Sequence, residues 1–202
     1  MSDDFSLNAP PTEYDFEKEF AKCKQEVRDQ ARCGSCWAFG AAEAFEDRIC
    51  RASSNTVRLS TQDMVSCEYD QYACDGGYLD RAWNYLAKTG IVTEECFPYS
   101  SFGGEVESCP STCTGVGEFR KYKVKNNKQI CSFLDKKTDC QNKIKEELAN
   151  NGPLEVAFTV YQDFMSYKSG VYKHTSGSQL GGHAIKLVAY GVDPVEGPYW
   201  KC

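Results

Sequence analysis

"QARCGSCWAFGA", residues 30–41, sets two cysteines three positions apart, Cys33 and Cys36, with Trp37 directly after the second. A CxxC pair can be a redox couple, half of a zinc site, or two sulfurs with unrelated fates. The chain has no second CxxC, and its two histidines, His174 and His183, do not cluster in sequence. The spacing therefore argues against metal or redox chemistry, and no cofactor is expected. From Cys36 onward, Phe39, Ala42, Phe45 and Ile49 recur at helical spacing. Cys36 thus stands where a helix begins, near unpaired backbone N–H groups and the positive end of the dipole. That setting favours thiolate, the nucleophilic form. Lowering a thiol pKa by about four units takes roughly 5–6 kcal/mol, more than a helix terminus supplies. A cationic partner is needed, and imidazolium is the usual one.

With two histidines the search is short. His174 lies in "GVYKHTSG", a polar turn region, and reads as a surface residue. His183 lies in "LGGHAIKLVAYG", where two glycines open access and an apolar strand holds the ring. An isolated histidine at a strand start is more often a packed structural group. Beside a helix-start thiol in need of a cation, His183 becomes the candidate base.

Composition bounds the rest. The 202 residues are 41% hydrophobic, enough for one domain or two small ones. Formal net charge is −6, and no Lys/Arg run exceeds two residues, which argues against a nucleic-acid partner. No stretch approaches the roughly 20 apolar residues of a membrane span. Twelve cysteines point to an oxidising route, secreted, vesicular or lysosomal. The opening "MSDDFSLNAPPTEYDF" holds no apolar run of signal-peptide length, so the cysteine usage predicts further residues upstream.

Residues 1–22 read as an extended, acidic lead-in. Ser60–Ser66 reads as a short helix capped by Ser60, with Asp63 three residues on. Leu79, Ala82, Trp83 and Leu86 keep helical spacing, with Gly90 as the stop. Residues 100–131 read as loop and linker. A helix is expected over 140–150, then a strand in which Leu154, Val156, Phe158 and Val160 alternate. "HAIKLVAYG" alternates again, with Ile185, Leu187 and Ala189 on one face. The pattern predicts a helical first half and a β-rich second half.

"QARCGSCWAF" together with "GGHAI" resembles the papain family of cysteine proteases, and cathepsin B-like members most of all. C-G-[SA]-C-[WY] is the known local signature of that family, with the histidine roughly 130–150 residues downstream, as His183 is here. "DRIC", "CDGGY", "CFPYS" and "NGPLEVAFTVYQDFMSYKSGVY" extend the resemblance over about residues 20–200. It implies an α+β fold of two lobes with a cleft between them: a helical lobe, 23–115, and a β-barrel-type lobe, 116–202, with 1–22 packed on it. It implies Cys36 as nucleophile, His183 as acid and base, and the Gln30 amide as a donor to the oxyanion. Substrate contacts are implied at Gly76, Gly77, Leu79, Ala157, Gly182 and Ala184. Disulfides are implied for Cys23–Cys50, Cys33–Cys74, Cys67–Cys109 and Cys96–Cys113. Cys131 and Cys140 have no family counterpart and are taken to clip a local insertion, which leaves Cys36 and Cys202 without partners. The expected partners are protein or peptide substrates, cystatin-type inhibitors and a propeptide, with a monomer acting in a lysosome, another acidic vesicle or after secretion.

Two departures qualify this. Cathepsin B-like enzymes carry an occluding loop with a histidine pair that captures a substrate C-terminus. The run from Cys96 to Cys113 is short and has no histidine, so endopeptidase action is expected. The family's orienting Asn follows a "YW" pair, whereas "PYWKC" ends at Cys202, which predicts an incomplete catalytic domain and an unpaired edge on "KLVAYG". An inactive, peptide-binding homologue is the competing reading.

Overall fold

The structure is a computed structural model, and it describes residues 10–132 and 134–202. The first nine residues of the acidic lead-in lie outside the described residues. The remainder of that lead-in is not simply extended. It forms a short strand β1 (Tyr14–Asp15) and a one-turn helix α1 (Phe16–Glu19), capped by the Asp15 carboxylate on the Glu17 N–H at 3.0 Å.

The helix expected from Cys36 is α2 (Cys36–Ser53). Its spacing marks one apolar face, yet it is buried almost all round, including Ala38, Gly40, Ala41, Glu46 and Asp47. A helix hidden on every side belongs at the centre of the molecule. On one side it packs on α3 (Thr61–Cys67) and α4 (Leu79–Lys88). The main core lies there, around Trp37, Phe45, Leu59, Met64, Leu86 and Ile91. Ser60 caps α3 through its hydroxyl on Asp63 N–H at 2.9 Å, and Gly90 ends α4 at φ +76°, where a side chain would be strained. Tyr122, inside the long linker, pairs with Ile91 and packs on this same core.

The other side of α2 meets the β half. α5 (Lys137–Asn151) begins three residues before the expected start, because Lys136 adopts the extended cap geometry. β2 (Leu154–Tyr161) pairs antiparallel with β3 (Gln179–Leu187). The alternation in "HAIKLVAYG" runs over two strands rather than one. β3 ends at Leu187, and β4 (Ala189–Asp193) joins a separate sheet of order β1-β4-β5, with β5 at Gly197–Lys201. β4 is therefore central, hydrogen-bonded on both sides, and not an unpaired edge. The sheets pair as three strands and two.

Five disulfides join Cys23–Cys50, Cys33–Cys74, Cys67–Cys109, Cys96–Cys113 and Cys131–Cys140. Cys36 and Cys202 are unpaired.

Candidate active site

Cys36 is the first residue of α2, between a crosslinked Cys33 and a fully buried Trp37. Its own thiol is half-buried. Ser35 precedes it in the N-cap position, yet gives α2 no capping bond; its hydroxyl bonds instead to that of Tyr99 at 3.0 Å. The N–H groups of the first turn thus have no side-chain cap, the arrangement an oxyanion needs.

The approach to Cys36 is braced from the Cys74 loop. Gly34 N–H donates to Cys74 O at 2.7 Å, and Trp37 Nε1 donates to Ala73 O at 3.1 Å. Gly77 packs so tightly on Trp37 that a Cβ there would fall 2.6 Å from the indole. Gly76 has φ +111° and open space where a side chain would project. Glycine is required by conformation at one position and by contact at the next, and the result is a bare backbone in the loop packed on Trp37.

Gln30 is anchored within its own turn. Its Nε2 donates to Cys33 O at 2.9 Å, which uses one of the two amide N–H groups. Tyr99 O–H donates to the Gln30 carbonyl at 2.9 Å, so Ser35 is the donor in the Ser35–Tyr99 bond. Tyr99 thereby ties Gln30 to the start of α2.

His183 lies on β3 opposite Phe158, with ring centroids 5.9 Å apart. Burial alone pushes its imidazole below the ordinary value. Nothing crowds the side-chain space at Gly181 or Gly182 beside it. β3 packs on α2, where Lys186 Nζ meets Asp47 Oδ2 at 2.8 Å. His174 has different company: it stacks on Tyr161 at 3.6 Å, with Nδ1 3.2 Å from Asp163. Asp163 also accepts from Thr175 N–H, Tyr172 O–H and Ser176 N–H, and these bonds hold it below the usual carboxylate range. That cluster secures a turn.

Leu79 and Ala157 line one wall of a cavity of about 1130 Å³, together with Trp83, Glu155 and Val156. Ala184 is opposite Ala157 in the register and buried, outside that lining, while Gly182 is exposed. Three residues escaped the sequence reading. Tyr99 gave no local signal of its bond to Ser35. Trp83 counted only as a helix-face apolar residue. Glu155 did carry a signal, an acid inside the apolar run "LEVAF", two residues from Ala157 and so on its face of the strand.

Comparison with known proteins gives this geometry a lineage. The chain is 43% identical over 198 residues to "Cathepsin B-like CP3" of Giardia intestinalis, covering 96% of this chain and 64% of that one. It is 39% identical over 195 residues to "Cathepsin B" of Dictyostelium discoideum, covering 90% and 61%. The chain thus spans less than two thirds of the length of both. Among solved structures, "proCathepsin B S9 from Trypanosoma congolense" superposes with a TM-score of 0.82 at 31% identity, over 99% of this chain and 68% of that one. The family described as "Papain family cysteine protease" matches residues 10–202, and the chain belongs to that family.

Proposed function

We propose that the chain carries out cysteine-type endopeptidase chemistry on protein substrates. The observation that carries this is a free, half-buried thiol at the head of α2, pinned between a disulfide and a buried tryptophan, with the hairpin of His183 packed on the same helix. The Cys36 thiolate attacks a peptide carbonyl, and the sulfur–carbon bond forms as charge moves to the carbonyl oxygen. The Cys36 N–H and the second Gln30 amide N–H receive that oxyanion; loss of one such donor typically costs about 2.7–4 kcal/mol. His183 then protonates the leaving amine, and later takes a proton from the water that hydrolyses the thioester. Burial disfavours the imidazolium, so an adjacent thiolate is the anion that sustains it. Gly76 and Gly77 pair with extended substrate backbone, Gly182 and Ala184 flank the base, and Leu79 with Ala157 receives a substrate side chain.

Internal cleavage follows from the short Cys96–Cys113 loop, which carries no histidine to hold a substrate C-terminus. Five disulfides support an oxidising, vesicular or secreted setting. The proforms among the structural relatives support a propeptide as partner. Mass spectrometry of an unfolded protein substrate tests the reading. Internal fragments that vanish with Cys36→Ser and with His183→Ala are expected; C-terminal dipeptides as the main product, or no product, contradict it.

The absence of a charged neighbour shifting His183 favours a second reading, a homologue that binds peptides without cleaving them. Peptide binding that survives Cys36→Ser, with no turnover by the wild type, would establish that reading.

A further inference from the structure

The register of the hairpin places Lys186 opposite Glu155, Ala184 opposite Ala157 and His183 opposite Phe158. Lys186 and Glu155, as a cross-strand pair, present their side chains to one face, and that face meets α2. Lys186 pairs there with Asp47. Glu155 reaches Gly40, where a Cβ would fall 3.0 Å from its Cγ and 3.2 Å from its Oε1. Gly40 follows Cys36 by four residues, so it lies one turn behind the thiol on the same side of the helix. Glu155 is thus a direct contact between the hairpin of His183 and the end of α2 that carries Cys36.

The surroundings of this carboxyl suit a neutral acid. Oε2 accepts from Trp83 Nε1 at 2.8 Å, while Oε1 is buried without a partner. The groups that meet it are Gly40 on α2, Lys186 opposite it on β3 and Trp83 on α4, and Lys186 is already paired with Asp47. Among the described residues no cation pairs with Glu155. Burial holds its carboxyl well above the usual range, and burial raises Glu43 and Asp47 as well.

We propose that Glu155, in its uncharged form, is a positioning residue: it seats the β2–β3 hairpin on the first turns of α2 and so sets His183 relative to Cys36. The inference rests on the proteolytic reading of that pair. An ionised Glu155 puts an unpaired charge into the seam, where its Oε1 has no partner. The cavity it lines offers that charge water if the hairpin lifts, and His183 moves with the hairpin.

The test is alkylation by iodoacetamide at a series of pH values, with adducts mapped by peptide mass and added N-acetylcysteine as the reference thiol, since burial pushes the Cys202 thiol up to about 11. At pH 5 an unassisted thiol is almost wholly protonated and slow, so an excess of Cys36 over N-acetylcysteine reports the imidazole-paired thiolate. Glu155→Ala is expected to reduce that excess tenfold or more, and Glu155→Gln, a neutral isostere, to restore it to within about twofold of wild type. As pH rises, the wild-type excess should fall away before that of the Gln variant. Should the Ala variant fail to fold, the pH profile of the Gln variant decides alone. A Gln profile that superposes on wild type at every pH, or that lacks the excess at pH 5 with native circular dichroism, overturns the role of Glu155. A wild type with no excess at pH 5 overturns the paired-thiolate reading beneath it, and this proposal with it.

Discussion

In the helical half, away from the β2–β3 hairpin, the buried carboxylates Glu46 and Asp63 are bonded through both oxygens. Glu46 accepts from Leu59 N–H at 2.7 Å, Arg28 at 3.4 Å and Gln25 at 3.1 Å. Asp63 accepts from Tyr85 O–H, Val92 N–H and Lys121. At the seam between α2 and the β2–β3 hairpin, Asp47 and Glu155 each leave one buried oxygen without a partner. The apolar packing differs in the same sense: a large cluster surrounds Trp37, whereas the β half relies on Leu148, Leu154, Leu187 and Tyr190. The seam that holds the His183 hairpin on α2 thus carries unpartnered oxygens of two buried acids, whereas Glu46 and Asp63 on the far side of α2 have none.

The largest expected effect sharpens this contrast through the disulfides. Opening Cys33–Cys74 with paired serines frees a loop with a sequence separation of 41 residues; opening Cys131–Cys140 frees one of 9. Chain entropy assigns about 4 kcal/mol to the first and about 2.5 to the second. Denaturant unfolding should show that difference, and the first pair alone should also lower Cys36 reactivity, since it braces that loop. Equal losses of reactivity would break the contrast.

A smaller effect is carried by pH. Burial raises the Glu46 carboxyl from 4.5 to about 7 despite its bonds. A carboxyl whose folded pKa exceeds its unfolded value keeps its proton longer when folded, so stability is greatest below about pH 4.5 and declines as pH rises to about 7. The full span is about 3 kcal/mol. Glu17 and Glu147, lowered by Lys201 and by Arg48, oppose this with losses at acid pH, so the optimum should be mildly acidic. Thermal melts of wild type and Glu46→Gln check it: the variant should show a flatter decline between pH 5 and 7, and parallel curves would remove Glu46 from the account.

Much of the helical half was legible because its signals are local. Ser60 before Asp63, Gly90 after Leu86, and the thiol at the head of an apolar spacing each act through the nearest turn. The β half was less so. "HAIKLVAYG" alternates without a break, yet it divides between two sheets at Val188, because β1, far upstream in sequence, and β5, across the next hairpin, claim Ala189 onward. The exchange of Ser35 from cap to Tyr99 partner, and the contact of Glu155 on Gly40, are tertiary in the same way. Burial of Glu155 depends on a helix more than a hundred residues earlier, which no local pattern encodes.

The measurement that bears most directly on Cys36 is covalent labelling by an epoxide-type or fluoromethyl-ketone peptide inhibitor, mapped by mass spectrometry. One adduct per chain, on Cys36 and absent from His183→Ala, is the predicted result. An unlabelled Cys36, or labelling shared equally with Cys202, contradicts the account.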